Sequence, residues 1–229
     1  MKVENLNVAY GQSHIVHDVS FEVKPREIVA VMGRNGMGKS TLLKSLIGMV
    51  PPKSGKVEVN GTDVTFLESY RHVENGIAFV PQGRHVFSNL TVEENIRAGL
   101  RIKEHWVQLR TEVYSIFDVL CKMRGRKAGN LSGGQQQQLA IARALVAEPR
   151  VLILDEPTEG IQPSIIKDLA RQINDLKLSK DLAIVVSEQV LSFTIDIADK
   201  MYVIESGRFV REDTRGNFDV EKITSYLSV

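Results

Sequence analysis

One cysteine, Cys121, is the only thiol in this chain of 229 residues. It cannot close an intramolecular disulfide and is too few for a thiolate zinc site, which points to a reducing compartment, the cytosol by default. Charge of one sign is scarce as well. The 29 Lys and Arg offset 28 Asp and Glu to leave a formal net charge of +1, so no excess positive field exists to hold a polyanion by counterion release. That argues against a dedicated nucleic-acid binder. Long hydrophobic runs are missing too: the densest, Ile28–Met32 and Leu182–Val186, are five residues long, against the roughly 18 to 20 that span a bilayer. The first residues, Met1-Lys2-Val3-Glu4-Asn5-Leu6, have neither the apolar stretch nor the small-residue cleavage site of a secretory signal. What is left is a globular composition, 43% hydrophobic and 25% charged. The length suits one large domain, or two unequal parts sharing a core.

Short apolar runs alternate with helix-like segments, the pattern of strands feeding a sheet buried on both faces. Ile28–Met32 runs into Gly33, Val151–Leu154 into Asp155 and Glu156, and Ala183–Val186 into Ser187, Glu188 and Gln189. Each sets polar residues just past the carboxyl end of a strand, where open α/β sheets bind their ligands. Val3–Tyr10, Val19–Val23 and Lys56–Val59 instead alternate apolar and polar residues, with Gly11, Pro52, Gly55 and Asn60-Gly61 as turns. These predict antiparallel hairpins. From Arg84 to Gly129 the character is helical: Thr91-Val92-Glu93-Glu94 is a capping box, and Trp106–Met123 carries apolar residues at helical spacing. The tail from Glu205 onward reads as a surface hairpin and a closing helix.

Gly33-Arg34-Asn35-Gly36-Met37-Gly38-Lys39-Ser40 fits G-x-x-x-x-G-K-[ST] between a strand and the helical pattern Thr41–Ile47, the setting of a phosphate-binding P-loop. Gly36 and Gly38 let backbone N–H groups turn toward phosphate oxygens, and the helix N-terminus adds its partial positive charge. Lys39 then reaches the β- and γ-phosphates, and the Ser40 hydroxyl is a ligand for Mg²⁺. Asp155 and Glu156 divide two tasks at a strand tip. Asp155 holds Mg²⁺ through its water shell, while Glu156 accepts a proton from, or orients, the water attacking the γ-phosphate. In Leu131-Ser132-Gly133-Gly134-Gln135, Ser132 and Gln135 make an S-x-x-Q capping box, and Leu139, Ala142 and Val146 mark the buried stripe of the helix that follows. Gly133 and Gly134 expose N–H groups there, a second anion site. One γ-phosphate does not need both within one chain, so the segment is expected to close on a phosphate held by another subunit.

With these motifs the chain resembles, over essentially its whole length, the nucleotide-binding subunit of an ABC transporter. The resemblance implies an α/β P-loop NTPase domain over 1–229. Residues 1–83 and 134–229 would form the ATP-binding core with an antiparallel β subdomain, and 84–133 a helical subdomain ending in the signature motif Leu131–Gln135. It implies ATP and Mg²⁺ as ligands, with Gly33 to Thr41 around the nucleotide and Tyr10 as the aromatic that stacks on adenine. Gln82, in Phe79-Val80-Pro81-Gln82, looks like the glutamine that contacts Mg²⁺ and the attacking water. Three positions depart from the family pattern. Gln189 stands where a switch histidine is usual; its amide can donate to a γ-phosphate oxygen but cannot carry positive charge or exchange a proton. Hydrolysis should therefore rest more heavily on Glu156. Gln162 replaces an aspartate that commonly bridges the subunits, and Arg26 replaces a usual glycine, which reads as a neutral surface change. Asn35–Gly38, Leu131–Gln135 extended to Gln138, the Glu188-Gln189 pair and Glu159–Ser164 are similar to importers of branched-chain amino acids and, most closely, of urea or short amides.

The partners so implied are a second ATP-binding subunit, two membrane permease subunits and, indirectly, a solute-binding protein. The chain would then sit peripherally on the cytoplasmic face of the inner or plasma membrane. Two other classes compete: an ABC ATPase acting on ribosomes or DNA, against which the short insertion and near-zero charge argue, and a non-hydrolytic module in which ATP drives only association. His14 and His17 are expected in a turn between strands, with no third ligand for a metal. Cys121 reads as a small core residue. Val86, Phe87 and Leu90 either pack locally or line the family's groove for a membrane subunit, and Arg124, Arg126 and Lys127 read as a solvated face.

Overall fold

The computed structural model describes residues 1–227. The chain opens with β1 (Lys2–Tyr10) and β2 (Ser13–Glu22), enters β3 (Ile28–Met32) and helix α1 (Lys39–Leu46), and returns through β4 (Ser54–Val59) and the short β5 (Thr62–Asp63). After α2 (Ser69–Glu74) and β6 (Ile77–Val80) come four helices, α3 (Val92–Arg97), α4 (Trp106–Ile116), α5 (Asp118–Lys122) and α6 (Gly133–Leu145). The remainder alternates: β7 (Val151–Asp155), α7 (Pro163–Ser179), β8 (Ala183–Glu188) and α8 (Leu191–Ile197). It closes with β9 (Lys200–Glu205), β10 (Arg208–Thr214) and α9 (Val220–Leu227).

Two sheets result. The antiparallel one runs β2-β1-β4-β5, and the larger runs β10-β9-β3-β8-β7-β6, parallel except where β10 pairs back on β9. Strand pleating divides the core between two faces of the larger sheet. Ile28, Ala30, Met32, Leu152, Leu154, Ile184 and Val186 join one apolar cluster with α6, α7 and α8, whereas Val29, Val31, Ile153 and Val185 join another with α1 and the antiparallel sheet. Burial on both faces explains why β3 is apolar throughout, each large side chain contributing roughly 1.5–3 kcal/mol. The cluster under α6 takes in Val92, Ile96, Leu109, Val113 and Phe117 of the helical segment, so those helices share the core of the sheet.

Register positions the site. Met32 pairs with Glu188 and Asp155 with Ser187, so the carboxyl ends of β3, β7 and β8 lie side by side at one edge.

Several sequence expectations need correction. His14 and His17 are in β2, their rings 4.0 Å apart between centroids; alternation carries the strand through them. The Trp106–Met123 helix is two helices, because Phe117 leaves helical backbone (φ −118°, ψ 71°) with its ring fully buried. β8 continues through Ser187 and Glu188. From Glu205 onward the tail does form a hairpin strand, β10, that is largely exposed at the edge of the main sheet, followed by α9; its partner β9 is buried at Met201 to Ile204. Cys121 is half-buried in α5. Arg26 sits in left-handed backbone (φ 62°), where glycine is unstrained, and its guanidinium pairs with Asp181.

Candidate functional site

The β3–α1 connection is built by close approach. A Cβ on Gly33 would lie 2.6 Å from the Ile204 carbonyl oxygen, and Gly38, at φ 102°, starts α1 from a left-handed conformation. Both positions therefore require glycine. The loop is anchored from behind as well: Gly207 N–H donates to the Met37 carbonyl at 3.0 Å, and Met37 packs on the core. Met37, like Gly33 and Arg34, does not line the cleft that Asn35, Gly36 and Gly38 to Thr41 border.

That cleft, of about 330 Å³, is lined by Ile15, Asn35, Gly36, Gly38, Lys39, Ser40, Thr41, Gln82 and Glu156. Lys39 is only 3% exposed; its Nζ donates to the Gly33 and Arg34 carbonyls at 2.6 and 3.0 Å and pairs with Glu156 Oε1 at 3.0 Å. Glu156 is met from two further sides. Gln189 Nε2 lies 3.1 Å from both carboxylate oxygens and 2.9 Å from Asn35 Oδ1, and Gln82 Nε2 lies 3.4 Å from Glu156 Oε2. Three chain-distant groups converge on one carboxylate. The backbone of Glu156 is left-handed (φ 46°), uncommon for a residue with a Cβ, and its N–H is held by both the carbonyl and the hydroxyl of Ser187 at 3.1 Å.

Asp155 is 3% exposed and accepts on Oδ1 from Ser187 Oγ at 2.6 Å and Ser40 Oγ at 3.1 Å. A hydroxyl and a carboxylate this close, with the Gln82 amide at the rim, are hard oxygen donors too few to cage a cation alone. That matches the habit of Mg²⁺, which keeps waters and substrate phosphate oxygens in its shell. Among the described residues no group of three or more His, Cys, Asp or Glu is placed to hold a metal ion, His14 and His17 included.

The signature segment is elsewhere. Ser132 N–H donates to Gln135 Oε1 at 3.0 Å and Gln135 N–H to Ser132 Oγ at 3.3 Å, so the capping box is made, but none of Leu131 to Gln135 borders the cleft. Its glycines also have a packing reason: a Cβ on Gly134 would meet Ile165 Cγ2 of α7 at 2.5 Å. Tyr10, half-exposed at the end of β1, does not line the cleft either; Ile15 across the hairpin does. Gln162 is exposed at the start of α7 and lies outside the cleft. Sequence reasoning missed Ile15, and it set Ser187 and Glu188 at the ligand-binding end of a strand without giving either a role. Ile15 gave only strand alternation as a signal, and the other two sit beyond the end of an apolar run.

Fold and cleft together define a class, a P-loop ATPase whose core carries an antiparallel sheet and a helical segment. Residues 16–159 match the family model described as "ABC transporter", and the chain belongs to that family. It is an ATPase of the kind whose hydrolysis powers transport. Two relatives are similar over most of their length. The high-affinity branched-chain amino acid transport ATP-binding protein BraG of Pseudomonas aeruginosa is 39% identical, covering 93% of this chain and 92% of that protein. The probable branched-chain amino acid transport ATP-binding protein LivF of Archaeoglobus fulgidus is 40% identical over 91% and 89%. The lipopolysaccharide export system ATP-binding protein LptB of Haemophilus influenzae is also similar, at 31% over 93% and 90%. Among solved structures, a nucleotide-free ATP-binding cassette from an ABC transporter superposes with a TM-score of 0.86 at 26% identity, covering 100% of this chain and 94% of that one.

Proposed function

We propose that this chain is the ATP-hydrolysing subunit of an importer for branched-chain amino acids, urea or short amides, working as one of two cassettes that close head to tail. The observation that carries the reading is the Glu156 carboxylate, held at the P-loop by Lys39, Gln82 and Gln189. Backbone N–H groups from Gly33 to Thr41 hold the nucleotide phosphates, and Lys39 exchanges its carboxylate and carbonyl partners for β- and γ-phosphate oxygens. Ser40 and Asp155 would hold Mg²⁺, which when bound supplies positive charge to offset that of the phosphates, and Gln82 would reach it from the rim. Glu156 accepts the proton of the water whose oxygen bonds to the γ-phosphorus as the bond to the β-phosphate oxygen breaks. Gln189 donates to a γ-phosphate oxygen. Tyr10 stacks on adenine beside Ile15.

Ser132 to Gln135 lie outside their own chain's cleft, which supports their acting across the interface on the γ-phosphate of the second subunit. Residues 84–133, with α3 to α5, serve as the helical subdomain that presents this segment, and 1–83 with 134–229 as the ATP-binding core. A separate groove of about 470 Å³, bordered by Phe79, His85, Phe87, Ala140 and Arg143 among others, is the seat for a permease subunit. Arg143 lies 5.1 Å from the Phe87 ring centroid, and burial pulls its pKa below the ordinary arginine value. Among the described residues no helix is long and apolar enough to cross a membrane; attachment through permease subunits at the cytoplasmic face is the arrangement this reading requires.

The names of the two relatives near 40% identity favour a branched-chain amino acid as solute, while Glu159–Ser164 and Leu131–Gln138 favour urea or a short amide. Steady-state phosphate release tests the chemistry. Glu156→Gln is expected to bind ATP as the native chain does and to lose turnover by about 100-fold or more, the scale of losing a positioned general base. Turnover at the native rate would contradict the assignment.

A further inference from the structure

Beyond the Asp155 and Glu156 carboxylates, the site contains a third buried acid, and this one has no assigned task. Glu188 is 2% exposed at the end of β8, and none of the ion pairs among the described residues includes it. Its charge is met instead by four donors from two loops. Oε1 accepts from Thr158 N–H at 2.9 Å and Thr158 Oγ1 at 2.7 Å, and Oε2 accepts from Gln189 N–H at 3.0 Å and Val190 N–H at 3.3 Å.

The two loops are those that set the hydrolytic groups. Thr158 is two residues past Glu156, whose left-handed backbone persists only if its surroundings over-determine it. Ser187 holds the amide of Glu156 itself, and Glu188 holds the loop just beyond. The opposite oxygen fixes the peptide from which the Gln189 side chain reaches back to both Glu156 oxygens.

We propose that Glu188 is a positioning residue for hydrolysis, a brace that registers the Glu156 loop on the Gln189 turn. The inference rests on reading Glu156 and Gln189 as the hydrolytic groups. A carboxylate is the side chain the geometry needs, because all four contacts come from donors and an ionised carboxylate is acceptor-only on both oxygens. A glutamine of the same shape would turn an NH₂ against the donors of one loop. Burial raises the carboxyl pKa, and the four hydrogen bonds oppose that rise by favouring the charged form.

The test is a split between turnover and nucleotide binding. Glu188→Gln is expected to lower kcat by about 10- to 100-fold, the loss that follows a small misplacement of reacting groups. KM for ATP should change little, because the Glu188 carboxylate bonds to Thr158, Gln189 and Val190 rather than to the residues from Gly33 to Thr41. Thr158→Val removes one donor and should lower kcat less, also at constant KM. Combined with Glu188→Gln it should cost less than the product of the single effects, since both act through one contact set. Native kcat in Glu188→Gln, or a fall in kcat matched by a rise in KM, overturns the proposal. If Glu188→Gln does not fold, Thr158→Val decides, and native kcat there overturns it equally. Glu156→Gln runs alongside as the control: its retaining turnover would sink the underlying reading, whereas its losing turnover while Glu188→Gln is native would sink the brace alone.

Discussion

Residue chemistry sets the character of the hydrolytic centre. One carboxylate, Glu156, receives an ammonium and two amides, and no histidine lines the cleft. The P-loop and the Asp155-Glu156 pair were legible because their chemistry demands fixed residue types at fixed spacing. Gln189 was legible only through the family pattern, and its contacts with Glu156 and Asn35 follow from a pairing of β3 with β8 that spans most of the chain. Glu188 was legible only as a polar residue at a strand's ligand-binding end: a buried acid looks like a solvated one until its donors are seen. The lack of an imidazole has a measurable consequence. The pH dependence of turnover in the native chain should show no step that belongs to a histidine in the cleft, and Gln189→His should introduce one near pH ~6.5, where an unperturbed imidazole titrates. A Gln189→His profile that overlays the native one would show that position 189 does not face the reacting phosphate.

Elements place these residues, and here the sequence is most reliable where apolar content is total. Ile28–Met32 has the predicted bounds because both faces of β3 are buried. β8 extends two residues past its apolar run because hydrogen bonding to Asp155 and Thr158 lets Ser187 and Glu188 stay buried. The break at Phe117 escaped periodicity since the ring is buried whether the helix continues or turns. At the start of α6 the two glycines were readable as exposed N–H groups but not as a packing contact. The 2.5 Å approach of a Gly134 Cβ to Ile165 makes that contact testable. Gly134→Ala should destabilise the chain by about 1–3 kcal/mol through overpacking, read as a lower urea midpoint at unchanged slope. Adding Ile165→Ala should recover part of the loss. A destabilisation that Ile165→Ala only deepens would place the strain elsewhere.

At the scale of the whole molecule, no described helix is long and apolar enough to cross a membrane, and ATP-binding subunits of ABC importers work as dimers with membrane permease subunits. The cleft has the P-loop, Ser40 and Glu156, with Asp155 bonded to Ser40, and the Ser132–Gln135 helix start lies outside it. Closure of two chains is the arrangement in which each segment meets the nucleotide of its neighbour. The most direct measurement is the molar mass of Glu156→Gln with and without ATP and Mg²⁺, by light scattering on the eluting protein. The account predicts a dimer retaining ATP, formed only with nucleotide and abolished by adding Ser132→Arg, which leaves ATP binding to the monomer intact. A monomer at saturating ATP, or a dimer indifferent to Ser132→Arg, would contradict it.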